Sequence, residues 1–268
     1  MTLTQTVIER AEGTSFALTS ARATVATAPV MVVVPAMGMK ARYYLGLVEA
    51  LAAAGAHGVI AEQRGHEASG GRVPSRSYDF GYAEMVADLD AALAAVRTEF
   101  PGSPVHLLGH SLGGQIATMY AALHPDAVAG LVLAASSTPH WPHWGPRLLL
   151  AGYAFPLISR LVGHYPGERL GFAGREARGV MRDWGRLART GRFVDGEAGL
   201  AALSLPVLAI SIEGDTLGVP AAVDALVAKL PGAVVTRRHV DVRGVDHFRW
   251  AKQPEVVVPL IVEWLANA

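Results

Sequence analysis

The chain alternates short apolar, largely β-branched runs with longer Ala- and Leu-rich stretches of helical period, and this alternation leaves few architectures open. Pro29–Val34, Gly58–Glu62, Val105–Gly109, Gly130–Ala135, Pro206–Ser211 and Val234–Val240 read as strands. Pro29–Val34 is apolar throughout, the pattern of a strand buried on both faces. Arg42–Ala54, Asp79–Phe100, Leu112–His124, Ala221–Leu230 and Glu255–Ala266 read as helices, with Gly55 and Pro101-Gly102 as stops for the first two. Strand–helix–strand repeats need crossover connections, so the chain predicts an α/β fold with a mostly parallel sheet and helices on both faces. Only the start departs from this: Gln5–Ala11 and Ser15–Ser20 read as a hairpin around Glu12-Gly13-Thr14.

A chain of 268 residues, 51% hydrophobic and 17% charged, buries a full core without covalent staples. Its 23 basic and 23 acidic residues leave no net field to draw it to nucleic acid or an anionic membrane. The absence of cysteine removes disulfides, thiolate metal sites and a cysteine nucleophile together. No apolar run approaches the roughly 20 residues of a membrane span. Met1–Thr24 is polar and mixed, without the apolar stretch of a secretory signal. A soluble cytoplasmic protein is the expectation.

The strand–helix rhythm breaks at Ser137–Leu200, which holds three of the five tryptophans, Trp141, Trp144 and Trp184. A structureless connection of that length is unusual, so residues 137–200 are expected to form a helical insertion, with 1–136 and 201–268 as the core. The insertion carries nine arginines, from Arg147 to Arg192, against five acidic residues. They read first as solvated helix faces and second as a guide for an anionic substrate.

The chemistry-bearing motif is Gly109-His110-Ser111-Leu112-Gly113-Gly114, which follows the apolar run Val105–Leu108 and opens a helix. This is G-x-S-x-G in the strand–turn–helix setting that gives the motif its meaning. A serine at so tight a turn stands clear of the sheet, and side chains at 109 or 113 would strike neighbouring backbone. His110 points elsewhere and reads as scaffold.

With these residues the chain resembles the α/β-hydrolase superfamily along nearly its whole length, with the insertion where that family carries its lid. More narrowly it is similar to bacterial serine hydrolases of poorly characterised activity, in which the strand end reads like Val34-Pro35-Ala36-Met37-Gly38 in place of the usual His-Gly. The resemblance implies an α/β-hydrolase fold with Ser111 as nucleophile and the order serine, acid, histidine. Of the ten histidines, His239 and His247 lie beyond the last long helix; His239 falls inside a strand, and His247 lies in the loop where the family places its base. The acid is expected after Pro206–Ser211, where Asp215 matches the family position but stands one residue further from Pro220 than is common, and Glu213 competes. Oxyanion donors are implied at the Leu112 and Met37 amides. Met39, Trp141, Trp144 and Trp184 are expected to wall an apolar acyl pocket.

Glu62-Gln63-Arg64-Gly65-His66-Glu67-Ala68-Ser69-Gly70 resembles the family's D-x-R-G-x-G-x-S segment, with Glu67 at a glycine position. His140 with His143, and His239 with Asp241, lack a third ligand nearby, so neither a metal nor any cofactor is expected. The expected activity is hydrolysis of a carboxylic ester or thioester on a small-molecule acyl substrate, anionic or carrier-bound in one version. An acyltransferase or cyclase with the same residues is the alternative, and a non-catalytic binding protein on this fold is the alternative of another class.

Overall fold

Four strands without a single exposed residue form the middle of the structure, a computed structural model that describes residues 2–10, 12–67 and 71–267. They are β3 (Val30–Val34), β4 (His57–Ala61), β5 (Val105–His110) and β6 (Gly130–Ala134). The sheet is completed by β1 (Leu3–Glu9), β2 (Ser15–Ala21), β9 (Pro206–Ile212) and β10 (Val234–Val240); β7 (Tyr165–Pro166) and β8 (Arg175–Glu176) form a separate pair. The order is β1-β2-β4-β3-β5-β6-β9-β10, antiparallel at β1, β2 and β4 and parallel elsewhere. The expected opening hairpin is present; Ala11, at its turn, lies outside the described residues, as do Ala68, Ser69 and Gly70.

The helices are α1 (Leu45–Ala53), α2 (Tyr82–Glu99), α3 (Leu112–Leu123), α4 (Pro146–Val162), α5 (Gly167–Leu170), α6 (Arg178–Thr190), α7 (Pro220–Val227) and α8 (Val258–Leu265). One face of the sheet packs on α2 and α3, with Ile116, Leu89 and Leu93 in that core; the other packs on α1 and α8 around Tyr44, Leu47, Trp250 and Ile261. The closing helix is shorter than the sequence suggests, because Pro259 is accommodated in the first turn of α8 and would break a helix begun at Glu255. Among the described residues no helix is long and apolar enough to cross a membrane.

Register fixes where loops emerge. Val34 pairs with Gly109 and His110 with Ala134, so β3, β5 and β6 end level, and Ile212 lies opposite Val240 at the ends of β9 and β10. The segments after β3, β5, β9 and β10 therefore leave from one edge of the sheet.

Residues 137–200 run between β6 and β9 and contain α4 and α6, packed so closely that a Cβ on Gly185 would lie 2.6 Å from the Gly152 carbonyl oxygen. Phe155 stacks on Trp184 at 5.6 Å and on Phe172 at 5.5 Å, giving the insertion its own aromatic nucleus. Reciprocal capping docks it. Asp79 Oδ1 accepts the Gly179 N–H in the first turn of α6, and Asp183 Oδ2 of α6 accepts the Tyr82 N–H that starts α2, both at 3.0 Å. Beside them His66 Nε2 meets Glu176 Oε1 at 3.1 Å, both buried. Burial works to lower the His66 pKa, but the hydrogen bond and charge of Glu176, with Glu67 behind it, outweigh burial and raise it.

Glu67, unexplained by the sequence resemblance, has a structural reason. Its Oε1 accepts from Arg10 Nη1 at 2.7 Å, Arg10 Nε reaches Asp88 Oδ1 at 2.9 Å, and Arg64 grips Asp88 through Nε at 2.9 Å and Nη2 at 2.6 Å. This buried network ties β1, the loop after β4 and α2 together. Asp88→Ala would remove the carboxylate that two buried guanidinium groups share, leaving Arg10 to Glu67 and Arg64 to Glu12, and should cost about 3 kcal/mol in denaturant unfolding. Arg238→Ala, which breaks the exposed pair with Glu263, should cost less than about 1 kcal/mol. For the raised His66, the stabilising contribution is complete below its ordinary value of 6.5 and is lost as pH rises through the folded value. The stability gap between the wild type and Glu176→Gln should thus be widest in mild acid, just below 6.5, and narrow towards alkaline pH.

Candidate active site

Ser111 sits at the β5–α3 turn with φ 53° and ψ −117°, a left-handed backbone that a non-glycine residue adopts only under restraint. The restraint is close packing. A Cβ on Gly113 would fall 2.0 Å from the Val34 carbonyl oxygen, and one on Gly109 would fall 2.3 Å from Gly114 Cα. Ser136 Oγ donates to the Ser111 carbonyl at 2.7 Å and pins the turn from β6. Leu112 is the first residue of α3, so its N–H has no partner within the helix.

His247, in the loop after β10, is 4% exposed, and its Nδ1 lies 2.9 and 2.8 Å from the two Asp215 carboxylate oxygens. Asp215 Oδ1 also accepts the Leu217 N–H at 2.7 Å. Glu213, the competing carboxylate, is turned outward onto His239 Nε2 at 3.1 Å. Asp246, next to His247, is occupied by the Phe248 and Arg249 N–H groups at 3.0 and 2.9 Å.

His110, the scaffold residue of the motif, links three loops. The Ala36 N–H donates to Tyr44 Oη at 3.0 Å, the hydroxyl lies 2.8 Å from His110 Nδ1, and His110 Nε2 lies 2.7 Å from the His247 carbonyl oxygen. Only a neutral ring with its proton on Nε2 satisfies every partner, since a carbonyl must accept and Nδ1 must then accept from the phenol. The electrostatics agree: burial, then the neighbouring His247, hold the His110 pKa well below its usual value, and burial pushes the Tyr44 phenol up. With Ala36 engaged on Tyr44 and Gly38 reversing the chain at φ 76°, the Met37 N–H has no recorded partner among the described residues.

Ser111, Leu112, His247 and Met37 line one cavity of about 400 Å³ with Trp144, Trp184, Phe172 and Phe248. Two expected wall residues are elsewhere. Met39 follows the Gly38 reversal, its N–H bonded to the Ala36 carbonyl, and packs against the core on the Tyr44 face of the sheet. Trp141 stays half-buried outside the cavity, because the indole of Trp144, anchored to the Thr138 carbonyl at 3.0 Å, takes the inward place. Of the nine arginines in the insertion, Arg147 alone lines the cavity; Arg182 turns onto Asp183. Gln115, which the sequence reading passed over, faces the cavity one helical turn after Ser111, a spacing that could have found it.

Residues 26–171, more than half of the chain, match the Hydrolase_4 family, serine aminopeptidase S33. The chain belongs to this family of α/β hydrolases. Proteins similar to this chain include monoglyceride lipase of Homo sapiens, 45% identical over 49 residues, 18% of this chain and 16% of that protein. Pimeloyl-[acyl-carrier protein] methyl ester esterase of Neisseria meningitidis is 36% identical over 86 residues, 30% of each chain. Both matches thus span less than a third of the relative. A soluble variant of monoglyceride lipase from Saccharomyces cerevisiae, solved with a substrate analogue, superposes with TM-score 0.72 over 100% of this chain and 95% of that one at 16% identity, a likeness of fold.

The buried chain through Tyr44 yields a direct test. Tyr44→Phe leaves the Ala36 N–H and His110 Nδ1 unsatisfied, so urea unfolding should show a loss of about 1–3 kcal/mol. Tyr43→Phe, whose ring is stacked edge-on beside Tyr44 under Lys252, should stay within about 0.5 kcal/mol.

Proposed function

We propose that the protein is a serine hydrolase that cleaves a carboxylic ester or thioester through an acyl-enzyme. The observation that carries the reading is the buried Asp215–His247 pair opening onto the cavity that Ser111 lines. In this reading Ser111 Oγ attacks the carbonyl carbon while His247 Nε2 takes the hydroxyl proton. Asp215 holds Nδ1–H and offsets the imidazolium charge. The Leu112 and Met37 N–H groups receive the oxyanion, and collapse of the tetrahedral species expels the alcohol or thiol, protonated by His247. Water, deprotonated by His247, then attacks the acyl-enzyme, and the acid leaves as Ser111 recovers its proton.

The choice of an ester over a peptide N-terminus rests on charge. A peptide's free α-ammonium group needs a carboxylate partner inside an apolar pocket. Among the described residues no Asp or Glu lines the cavity, whose charged wall residue is Arg147. The acyl chain lies against Trp144, Leu148, Phe172 and Trp184, so residues 137–200 act as a lid over a core formed by 1–136 and 201–268. The Neisseria meningitidis relative, a methyl ester esterase for pimeloyl-[acyl-carrier protein], supports an acyl substrate of this kind.

A fluorophosphonate probe should label the wild type at Ser111 and leave Ser111→Ala unlabelled. Asp215→Asn should lower kcat by about 10³–10⁴ with the fold intact, and Glu213→Gln should be mild. Loss of Ser111 and His247 together should be little worse than either alone, because one proton transfer involves both. Esterase activity retained in Ser111→Ala, or a severe Glu213→Gln, would refute the assignment.

A further inference from the structure

We infer that Arg147 is the receptor for an anionic group of the substrate, a carboxylate or a phosphate placed away from the reacting carbonyl. The inference rests on the serine hydrolase reading of the same cavity and names the class of substrate for it.

Arg147 stands in the first turn of α4, between Trp144 and Leu148, and all three line the cavity with Ser111 and His247. It is exposed to solvent and lines the cavity at the same time. Among the described residues it has no recorded ion pair or side-chain hydrogen bond. Four of the other eight arginines of the insertion are committed: Arg175 donates to the Pro74 carbonyl, Arg178 pairs with Asp79, Arg182 with Asp183, and Arg189 reaches the Gly152 carbonyl and lies over Tyr153; the remaining four, Arg160, Arg169, Arg186 and Arg192, do not line the cavity. Asp215, the carboxylate paired with the cavity-lining His247, has a side chain with no exposed surface.

The remaining wall is chiefly apolar: Met37, Leu112, Leu148, Phe172, Leu217 and Phe248. A substrate anion entering such a space loses water and needs a partner; a substrate cation meets a like charge and no carboxylate. The guanidinium fork suits both a carboxylate and a phosphate, because each offers two coplanar acceptor oxygens. A merely solvated helix-face arginine would make no distinction between charged and neutral substrates. That difference is measurable.

Two matched pairs of substrates separate the sources of the anion. In the first arm, p-nitrophenyl hydrogen glutarate is compared with p-nitrophenyl methyl glutarate, which differ only in a terminal carboxylate on the acyl side. In the second, butyryl phosphopantetheine is compared with butyryl pantetheine, which differ only in a phosphate on the leaving group. The wild type should favour the anionic member of one pair in kcat/KM by roughly five- to tenfold. Arg147→Gln should abolish that preference, lowering kcat/KM for the anionic member by the same five- to tenfold more than for the neutral one, with probe labelling at Ser111 retained. Arg147→Lys should keep part of it, and the preference should fall as salt approaches about 0.5 M. The arm that responds identifies the anion. Neutral esters cleaved with no anionic preference in either arm, or Arg147→Gln slowing neutral and anionic members equally, would overturn the inference. An unlabelled Ser111 and no cleavage of any ester would instead overturn the hydrolase reading beneath it.

Discussion

The approach of α3 to the end of β3 governs the geometry of the site. The first turn of α3 lies so near the Val34 carbonyl that no side chain fits at Gly113, and this contact forces Ser111 into its left-handed turn. Such a conformation costs on the order of 1–3 kcal/mol unless the surroundings hold it. Here β3, β5 and β6, all without exposed residues, supply that rigidity. The same contact brings residues 35–38 beside the start of α3. The N–H groups of Met37 and Leu112 and the hydroxyl of Ser111 are thus consequences of one packing constraint.

A second constraint acts behind the cavity. The chain from Ala36 through Tyr44 and His110 to the His247 carbonyl joins the loops after β3 and β10 to the end of β5 with three hydrogen bonds, all buried. Each bond has one direction only, since a neutral His110 cannot both donate at Nδ1 and satisfy the carbonyl. A shift in any loop leaves a buried polar group unpaired, at a cost larger than the bond itself contributes. The insertion is fixed by different means, through helix-cap carboxylates and the His66–Glu176 pair. Its α4 is held mainly by α6, and the outer face of α4 leaves Leu150, Tyr153, Leu157 and Leu161 exposed.

Much of this was legible in the sequence. Apolar runs without alternation announced the parallel strands, and the glycines around Ser111 announced the turn, because both are local signals with a single steric meaning. The break in strand–helix rhythm between Gly130–Ala135 and Pro206–Ser211 falls on the segment that carries α4 and α6. What the sequence hid depended on contacts between distant segments. Glu67 looked anomalous until Arg10, 57 residues away in sequence, was seen to meet it. Met39 and Trp141 were misplaced because apolar character does not say where a side chain packs: Met39 joins the core on the Tyr44 face, and Trp141 stays half-buried outside the cavity. Arg147 was indistinguishable from eight other arginines until α4 was set against the cavity.

Asp215 shows how an irregular spacing is absorbed by local chemistry. The extra residue before Pro220 lengthens the stretch between the carboxylate and α7, and left Glu213 in competition for His247. The chain first reverses at Gly214, φ 76°, which carries Asp215 inward while Glu213 remains on the outer side with His239. Asp215 Oδ1 then accepts the Leu217 N–H, a side-chain turn that takes up the additional backbone without lengthening the reach to Nδ1. Gly218 completes the arrangement, because a Cβ there would sit 2.6 Å from Asp215 Oδ2. The carboxylate therefore keeps both oxygens on His247 while the extra residue loops past it, and Pro220 opens α7 as the first helical residue, where a missing N–H costs nothing.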